Sequence, residues 1–145
     1  MGKWIFEKST GTIVGYSGTV DNGILVVPSK IGDMPVKRIK DNACCRLQIK
    51  ELYVSEGIEH ISSYAFYACG LLKVVLPESL ISLGKFTFAD NKLTEVQMPR
   101  CLEVIGMACF ANNYIATLAF NEALRIIGIG AFANNGLVEL ETNNT

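Results

Sequence analysis

A period of 22 residues constrains the fold of this chain more than any other feature of its sequence. Phe66, Phe88, Phe110 and Phe132 follow one another at this spacing, and one more step back from Phe66 reaches Cys44. The units that begin five residues before these positions are 39–60, 61–82, 83–104, 105–126 and the partial unit 127–145. One such unit is too short to bury its own apolar side, so the period predicts a stack of copies.

Several positions of the unit are apolar in every full copy. Position 1 holds Ile39, Ile61, Leu83, Ile105 and Ile127, and position 14 holds Leu52, Val74, Val96, Leu118 and Leu140. Positions 14 and 16 are apolar around a variable residue, which is strand alternation, and Pro77 and Pro99 end two of the strands. The strands of successive units are expected to pair in a parallel sheet. Positions 3–8 predict a short helical or 3₁₀ turn on the opposite wall.

The residues before Ile39 fit a modified first unit and a cap. Ile24-Leu25-Val26-Val27-Pro28 resembles Val74-Val75-Leu76-Pro77, so residues 24–38 are assigned to the repeat region. Trp4-Ile5-Phe6 and Thr12-Ile13-Val14-Gly15-Tyr16 are strand-like and flank a turn, which predicts a β-hairpin cap over residues 1–23. The expected architecture is a single domain, a repeat solenoid of α/β or mainly β class over residues 24–145.

Composition and charge exclude several kinds of partner. Lys and Arg number 13 against 14 Asp and Glu, for a net charge of −1, so no basic nucleic-acid surface is expected. Residues 104–121 are uncharged over 18 positions, but Asn112 and Asn113 interrupt them and the repeat accounts for their apolar residues. We therefore expect no membrane span. The first ten residues also lack a signal-peptide pattern.

The residues with chemical potential do not form a recognisable constellation. His60 is the one histidine, and its unit position holds Ser82, Val104 and Ile126 in other copies, so no catalytic role is assigned. The five cysteines contain no C-x-x-C, which argues against a zinc site. Buried free thiols are favoured over a disulfide between Cys45 and Cys69. The recurrent pairs at positions 8 and 9 predict turn-stabilising side chains: Asp90-Asn91, Asn112-Asn113 and Asn134-Asn135. No catalytic residue, cofactor site or metal site is predicted.

The register of the repeat resembles the BspA-like leucine-rich repeat family. The resemblance is carried by Leu93-x-x-Val96-x-Met98-Pro99-x-x-Leu102-x-x-Ile105-Gly106-x-x-Cys109-Phe110 and by Leu71-x-x-Val74-x-Leu76-Pro77-x-x-Leu80. It implies a right-handed coil and a non-catalytic module of bacterial cell-surface or secreted proteins, used in adhesion and protein binding. An intracellular protein–protein interaction scaffold or regulator on the same repeat is the alternative, and a cytoplasmic location goes with it.

The outward positions 13 and 15 of the predicted strands form the candidate partner-binding face. They are Glu51, Tyr53, Lys73, Val75, Glu95, Gln97, Thr117, Ala119, Glu139 and Glu141. With Lys73 as its one cation, the stripe suits a protein better than a phosphate, and a host or neighbouring-cell surface protein is suspected. The last unit lacks a capping pattern, so we expect either that the natural protein continues or that its C-terminal edge pairs with another copy.

Overall fold

The computed structural model describes residues 2–137 and the backbone of residues 139–141. Its strands are short, and the period of 22 residues sets their positions. They are β1 (Lys3–Glu7), β2 (Thr12–Ser17), β3 (Ile24–Val27), β4 (Lys30–Ile31), β5 (Met34–Pro35), β6 (Arg38–Ile39), β7 (Glu51–Val54), β8 (His60–Ile61), β9 (Lys73–Val75), β10 (Ser82–Leu83), β11 (Val104–Ile105), β12 (Thr117–Ala119), β13 (Ile126–Ile127) and β14 (Glu139–Glu141). A 3₁₀ turn at Asp21–Gly23 precedes β3.

One wall of the solenoid is a seven-stranded sheet in the order β1-β2-β6-β8-β10-β11-β13. From β6 onward its strands are parallel, and each pairs a residue with its counterpart 22 positions later, as in Leu83 with Ile105. β1 and β2 form an antiparallel hairpin at the N-terminal end, and β2 pairs with β6. The sequence predicted that position 1 is apolar in every unit, but it did not predict a strand there. A strand of two residues is too short to show an alternating pattern.

The second wall carries the predicted strands of positions 13–16. β3, β7 and β9 form a parallel sheet, and β12 pairs with β14 in a separate one. Residues 94–98 lie between β9 and β12 and form no strand. The expected parallel solenoid is confirmed, but its second sheet is interrupted at the coil that spans residues 83–104.

The third wall differs from the prediction, because positions 3–8 form neither a helix nor a 3₁₀ turn. Backbone bonds from Ala65 N–H to the Ser62 carbonyl and from Tyr67 N–H to the Tyr64 carbonyl close successive four-residue turns instead. Tyr64, the third residue of the first turn, has a positive φ of 62°, and Ala68, which follows the second turn, has one of 54°. Left-handed residues cannot extend a helical turn, and aromatic residues seldom adopt that region, so sequence propensity gave no sign of it.

The core is a ladder of apolar columns that runs along the solenoid axis. Phe66, Phe88, Phe110 and Phe132 stack nearly parallel, with ring centroids 5.4–5.7 Å apart. The first three are fully buried. The column at position 1 is equally buried from Ile39 to Ile105. Each unit thus contributes one layer to a continuous core, as the period requires.

Buried asparagines fasten the turns to the neighbouring coils. The Asn113 carboxamide accepts a hydrogen bond from Leu93 N–H at 3.0 Å, and its amide donates to the carbonyls of Phe88, Phe110 and Ala111 at 3.0–3.3 Å. Asn91 and Asn135 repeat this pattern in their own coils. The predicted turn-stabilising role of these asparagines is confirmed, and it satisfies backbone groups that burial would otherwise leave unpaired.

Candidate protein-interaction face

The outward residues that the structure describes on the second wall lie on neighbouring coils, but they do not form one uniform stripe. Parallel register sets Glu51 beside Lys73 and Tyr53 beside Val75. Thr117 and Ala119 stand on β12, and the backbone of Glu139 and Glu141 pairs with them across β14. The side chains of Glu139 and Glu141 lie outside the described residues. Glu95 and Gln97 are exposed on the segment without strand pairing.

The face also extends one strand further than the predicted set. β3 places Ile24 beside Glu51 and Val26 beside Tyr53, so both belong to the same outward rows. Their side chains are 48% and 53% exposed. The signal for them was present in the sequence, because aligning Val27-Pro28 with Leu76-Pro77 places Ile24 and Val26 at positions 13 and 15.

Tyr53 is held in place at the centre of this surface. Its hydroxyl donates a 2.6 Å hydrogen bond to the Glu51 carboxylate. The Lys73 ammonium lies 5.4 Å from the centroid of the Tyr53 ring, within cation–π range. Val26 and Val75 flank the ring on the adjacent strands. We name Ile24, Val26, Tyr53 and Val75 the apolar patch; it combines an oriented aromatic ring with exposed branched side chains.

A groove of about 1000 Å³ adjoins the apolar patch. It crosses three coils, from β9 over residues 94–98 to β12, and the inward side chains Val74, Val96 and Leu118 reach its lining. In the described part of the chain, no backbone hydrogen bond involves Glu95, Val96, Gln97 or Met98. The N–H and C=O groups of this segment are therefore free to bond to solvent or to a partner.

A second cluster of aromatic residues lies on the turn wall, where sequence analysis assigned no function. The Tyr64 ring stacks on Phe86 at 5.0 Å and meets the edge of Tyr67 at 5.3 Å. The Tyr67 hydroxyl donates to the Asp90 carboxylate at 3.0 Å, and this hydrogen bond raises the pKa of Tyr67. The Arg46 guanidinium lies 5.5 Å from the Tyr67 ring. These rings contact one another across adjacent coils, so they brace the wall.

His60 takes part in a structural contact on the seven-stranded sheet. Its Nδ1 lies 2.6 Å from the Ser82 hydroxyl, the residue opposite it in the register. Partial burial, with a smaller contribution from Arg38, lowers the pKa of His60, and Glu59 opposes this shift. No hydrogen bond joins a carboxylate to this imidazole among the described residues, so the pair lacks the third member of a nucleophile–base–acid triad.

All five cysteines are free thiols. Cys44, Cys69 and Cys109 are buried, as predicted, and burial raises the pKa of Cys69 and of Cys109 to about 12. Cys45 is half-buried, and the alternative disulfide between Cys45 and Cys69 is not formed. Cys101 is exposed, so the prediction of burial is wrong there; the residue lies in a turn at the surface.

Neither a metal site nor a membrane-spanning helix is found among the described residues. No group of three or more His, Cys, Asp or Glu side chains in that part of the chain is arranged to hold a metal ion. Within the same residues, no helix has the length and apolar character needed to span a bilayer.

Comparison with known proteins supports the resemblance seen in the repeat register. Residues 37–145 match the model of the BspA type leucine rich repeat region in six copies. No curated protein matches the sequence.

Solved structures of bacterial leucine-rich repeat proteins share the fold. The T. pallidum leucine rich repeat protein superposes with a TM-score of 0.81 at 20% identity, over 97% of this chain and 80% of that one. A leucine-rich repeat protein from Bacteroides ovatus gives 0.81 at 24% identity, over 97% of this chain and 39% of that one. A leucine rich cell surface protein from Faecalibacterium prausnitzii gives 0.57 at 15% identity, over 97% and 52%. The chain therefore spans about two-fifths and one-half of the last two proteins.

Proposed function

We propose that this chain, a member of the BspA-type leucine-rich repeat family, binds a protein partner through the face of its second wall. Repeats of this family are generally protein-interaction modules and are typically not enzymes. The apolar patch is the observation that carries the proposal. An oriented aromatic ring within an exposed apolar patch is typical of the centre of a protein interface. Phosphate recognition is disfavoured, because Lys73 is the one cation among the ten predicted face residues.

The patch and the groove would contribute different kinds of energy to such a complex. Burying Val26, Val75 and the exposed part of Tyr53 supplies the apolar term, at about 25 cal/mol per Å² of apolar surface. The unbonded backbone of Glu95, Val96 and Gln97 would supply directed hydrogen bonds, which select partners more than they add affinity. Tyr53 is already oriented by Glu51 and Lys73, so little side-chain entropy is lost when it becomes buried.

A direct binding assay tests this face. Beads coated with the wild-type chain, with the double variant Val26→Asp/Val75→Asp, or with the control Met107→Asp are applied to host cells and to cells of neighbouring bacterial species. Met107 is exposed on the turn wall, away from the patch. We expect the wild type and the control to adhere, the double variant to lose adhesion, and protease treatment of the target cells to abolish it. Equal adhesion of all three chains would contradict the proposed face.

We further propose that the partner is a host or neighbouring-cell surface protein and that the chain acts on a bacterial surface or after secretion. The Faecalibacterium prausnitzii neighbour is described as a cell surface protein, which supports this location by analogy of fold alone. Protease shaving of intact source cells, followed by an immunoblot, tests it. The band should disappear on shaving, while a cytosolic marker stays intact.

An intracellular interaction scaffold is the second candidate, and the free thiols favour it. Five cysteines without a disulfide, three of them buried, are the usage expected in a reducing compartment. For this alternative, the shaved cells would retain a protected band in the cytosolic fraction. The same patch variants would then be tested against intracellular partners, because the geometry of the face does not depend on the compartment.

A further inference from the structure

A pocket of about 410 Å³ lies between the turn wall and the second wall. It crosses three coils, because Ile49, Gly70 and Lys92 in its lining belong to three successive units. Val20 and Leu72 join Ile49 in the apolar part of the lining, and Leu72 is 54% exposed. The described lining contains none of the four residues of the apolar patch. The pocket is therefore a separate feature of the surface.

One backbone hydrogen bond of the repeat is missing at this pocket. Lys92 N–H, at position 10, donates to the Leu71 carbonyl at position 11 of the preceding coil at 2.8 Å, and Tyr114 N–H repeats this bond one coil later. Gly70 and Ile49 occupy the same two positions one coil earlier, yet no hydrogen bond joins them. Among the described residues, neither the Gly70 N–H nor the Ile49 carbonyl has another hydrogen-bond partner.

The two unbonded groups are neighbours in the pocket lining. A Cβ on Gly70 would lie 3.9 Å from the Ile49 carbonyl oxygen. Both residues line the pocket, so it offers one backbone donor and one backbone acceptor close together. A ligand that satisfies both groups must itself carry an acceptor and a donor at matching positions.

The rim of the pocket is positively charged. Lys50 and Lys92 are exposed on the coils before and after that of Gly70, and no Asp or Glu is among the described lining residues. Neither lysine forms an ion pair within the part of the chain that the structure describes. The stem of Lys50 lies against Gly23, where an added Cβ would come 2.8 Å from the lysine Cγ. Two cations without a lining anion, in a chain of net charge −1, favour an anionic ligand group here.

We infer that this pocket binds the C-terminal residue of a polypeptide whose last side chain is apolar. The carboxylate of that residue accepts a hydrogen bond from Gly70 N–H and lies between the ammonium groups of Lys50 and Lys92. The N–H of the same residue donates to the Ile49 carbonyl. Its side chain packs on Leu72. One residue thus satisfies the free donor, the free acceptor, the two charges and the apolar lining together.

Other anions satisfy fewer of these groups. A fully ionised phosphate has no donor for the Ile49 carbonyl and no apolar part for Leu72. An internal Asp or Glu residue carries a carboxylate but brings no separate apolar side chain on the same residue. The inference does not rest on the proposed function of the second wall, because the apolar patch takes no part in the pocket.

Fluorescence anisotropy of labelled peptides tests the inference on the whole chain. The probes are hexapeptides with a dye at the N-terminus and a last residue of leucine, valine or phenylalanine with a free carboxylate. At least one should bind saturably. Its C-terminal amide should bind at least about tenfold more weakly, because a charge-assisted hydrogen bond is lost. Methylation of the last peptide nitrogen should weaken binding by about fivefold, since it removes the donor to the Ile49 carbonyl.

Charge variants of the protein locate the carboxylate. Lys50→Gln/Lys92→Gln should weaken binding of the carboxylate peptide by at least about tenfold and should leave the weak binding of its amide unchanged. Both lysines are exposed, so the variant keeps its fold, which circular dichroism verifies. Lys40→Gln/Lys85→Gln is the matched control, because it removes two exposed lysines outside the pocket. It should leave the affinity unchanged.

Nuclear magnetic resonance provides the second measurement. The amide proton of Gly70 should shift when the peptide is added, while that of Gly106, which donates to the Leu83 carbonyl at 2.9 Å, should not. Absence of saturable binding by all three probes, or equal affinity for the acid and the amide, would overturn the inference. So would displacement of the peptide by an equal concentration of inorganic phosphate, because that result means that the pocket accepts any anion.

Discussion

The coils of residues 39–82 and those of residues 83–137 share one backbone path but use different side chains to hold it. At position 2 the first two coils carry Lys40 and Ser62, whereas the later ones carry Gly84, Gly106 and Gly128. A Cβ on Gly106 would lie 2.5 Å from the Gly84 carbonyl carbon. The later coils therefore approach one another too closely for any side chain at this position.

The earlier and later coils also differ at position 9. Asn113 makes four hydrogen bonds in the later coils, but Cys69 replaces asparagine in the second coil and its thiol donates to the Cys44 carbonyl at 3.1 Å. A thiol is a weak hydrogen-bond donor, so it stabilises the coil less than a carboxamide does. The later coils therefore depend on specific residues at positions 2 and 9, glycine and asparagine, that the first two coils lack.

Thiol reactivity should show the largest effect, between the exposed Cys101 and the cysteines that are buried in both regions. Cys69, buried in the second coil, has its pKa raised by burial from 9.0 to about 12, so its thiolate at pH 8 is scarcer by about a thousandfold. Cys101, exposed in a later coil, should react with an aromatic disulfide reagent first, and Cys44, Cys69 and Cys109 should react only after unfolding. Mass spectrometry of the labelled peptides measures the order. Full reaction of all five thiols in guanidinium is the control, and early labelling of Cys69 would contradict its place in the core.

Gly106→Ala should cause the largest loss of stability. The new Cβ would meet the backbone of Gly84 and Lys85 at 2.5–2.8 Å, and backbone cannot move aside as a flexible side chain can. We expect a loss of about 3 kcal/mol in the free energy of unfolding, the upper range for overpacking. Urea denaturation measures it.

Gly136→Ala is the matched control for that measurement. No atom lies within 4 Å of the Cβ that it would add, and its φ is not in the left-handed region. Its unfolding midpoint should stay close to that of the wild type. If Gly106→Ala and Gly136→Ala had the same midpoint, the close approach of the later coils would be wrong.

Asn113→Ala should cost about 2 kcal/mol, because it leaves buried backbone groups of two coils without partners. Cys69→Ala, at the same position of the second coil, should cost about 1 kcal/mol, since it removes one weak donor and little volume. The difference between these two losses measures how much more the later coil depends on its position-9 side chain than the second coil does. Equal losses would mean that the asparagine ladder adds nothing beyond the packing that both coils share.

The sequence predicted the period, the inward columns and the outward rows, because these follow from spacing alone. It did not predict the seven-stranded wall, since two residues such as Leu83 and its neighbour Ser82 are too few to show a strand pattern. The sequence also did not predict that the segment with Glu95 and Gln97 lacks strand pairing. The apolar columns of that coil match those of its neighbours, and only the three-dimensional stacking determines whether the strand pairs. Ile24 and Val26 could have been found by extending the register past the insertion at residues 32–36.

The smallest expected effect concerns the turn wall, where position 4 is left-handed in every coil. Ala108 has a φ of 53° there, and Gly130 has a φ of 66° one coil later. Ala108→Gly should raise the free energy of unfolding by about 0.5 kcal/mol, because relief of the left-handed strain slightly exceeds the extra entropy of glycine in the unfolded chain. Gly130→Ala is the reverse substitution and serves as the control. It should lower the free energy of unfolding by a similar amount, because only its left-handed φ is strained. The added Cβ has space, since the nearest atom, Ala133 Cβ, lies 3.8 Å away. A destabilising Ala108→Gly together with a stabilising Gly130→Ala would contradict the left-handed turns of this wall in the later coils.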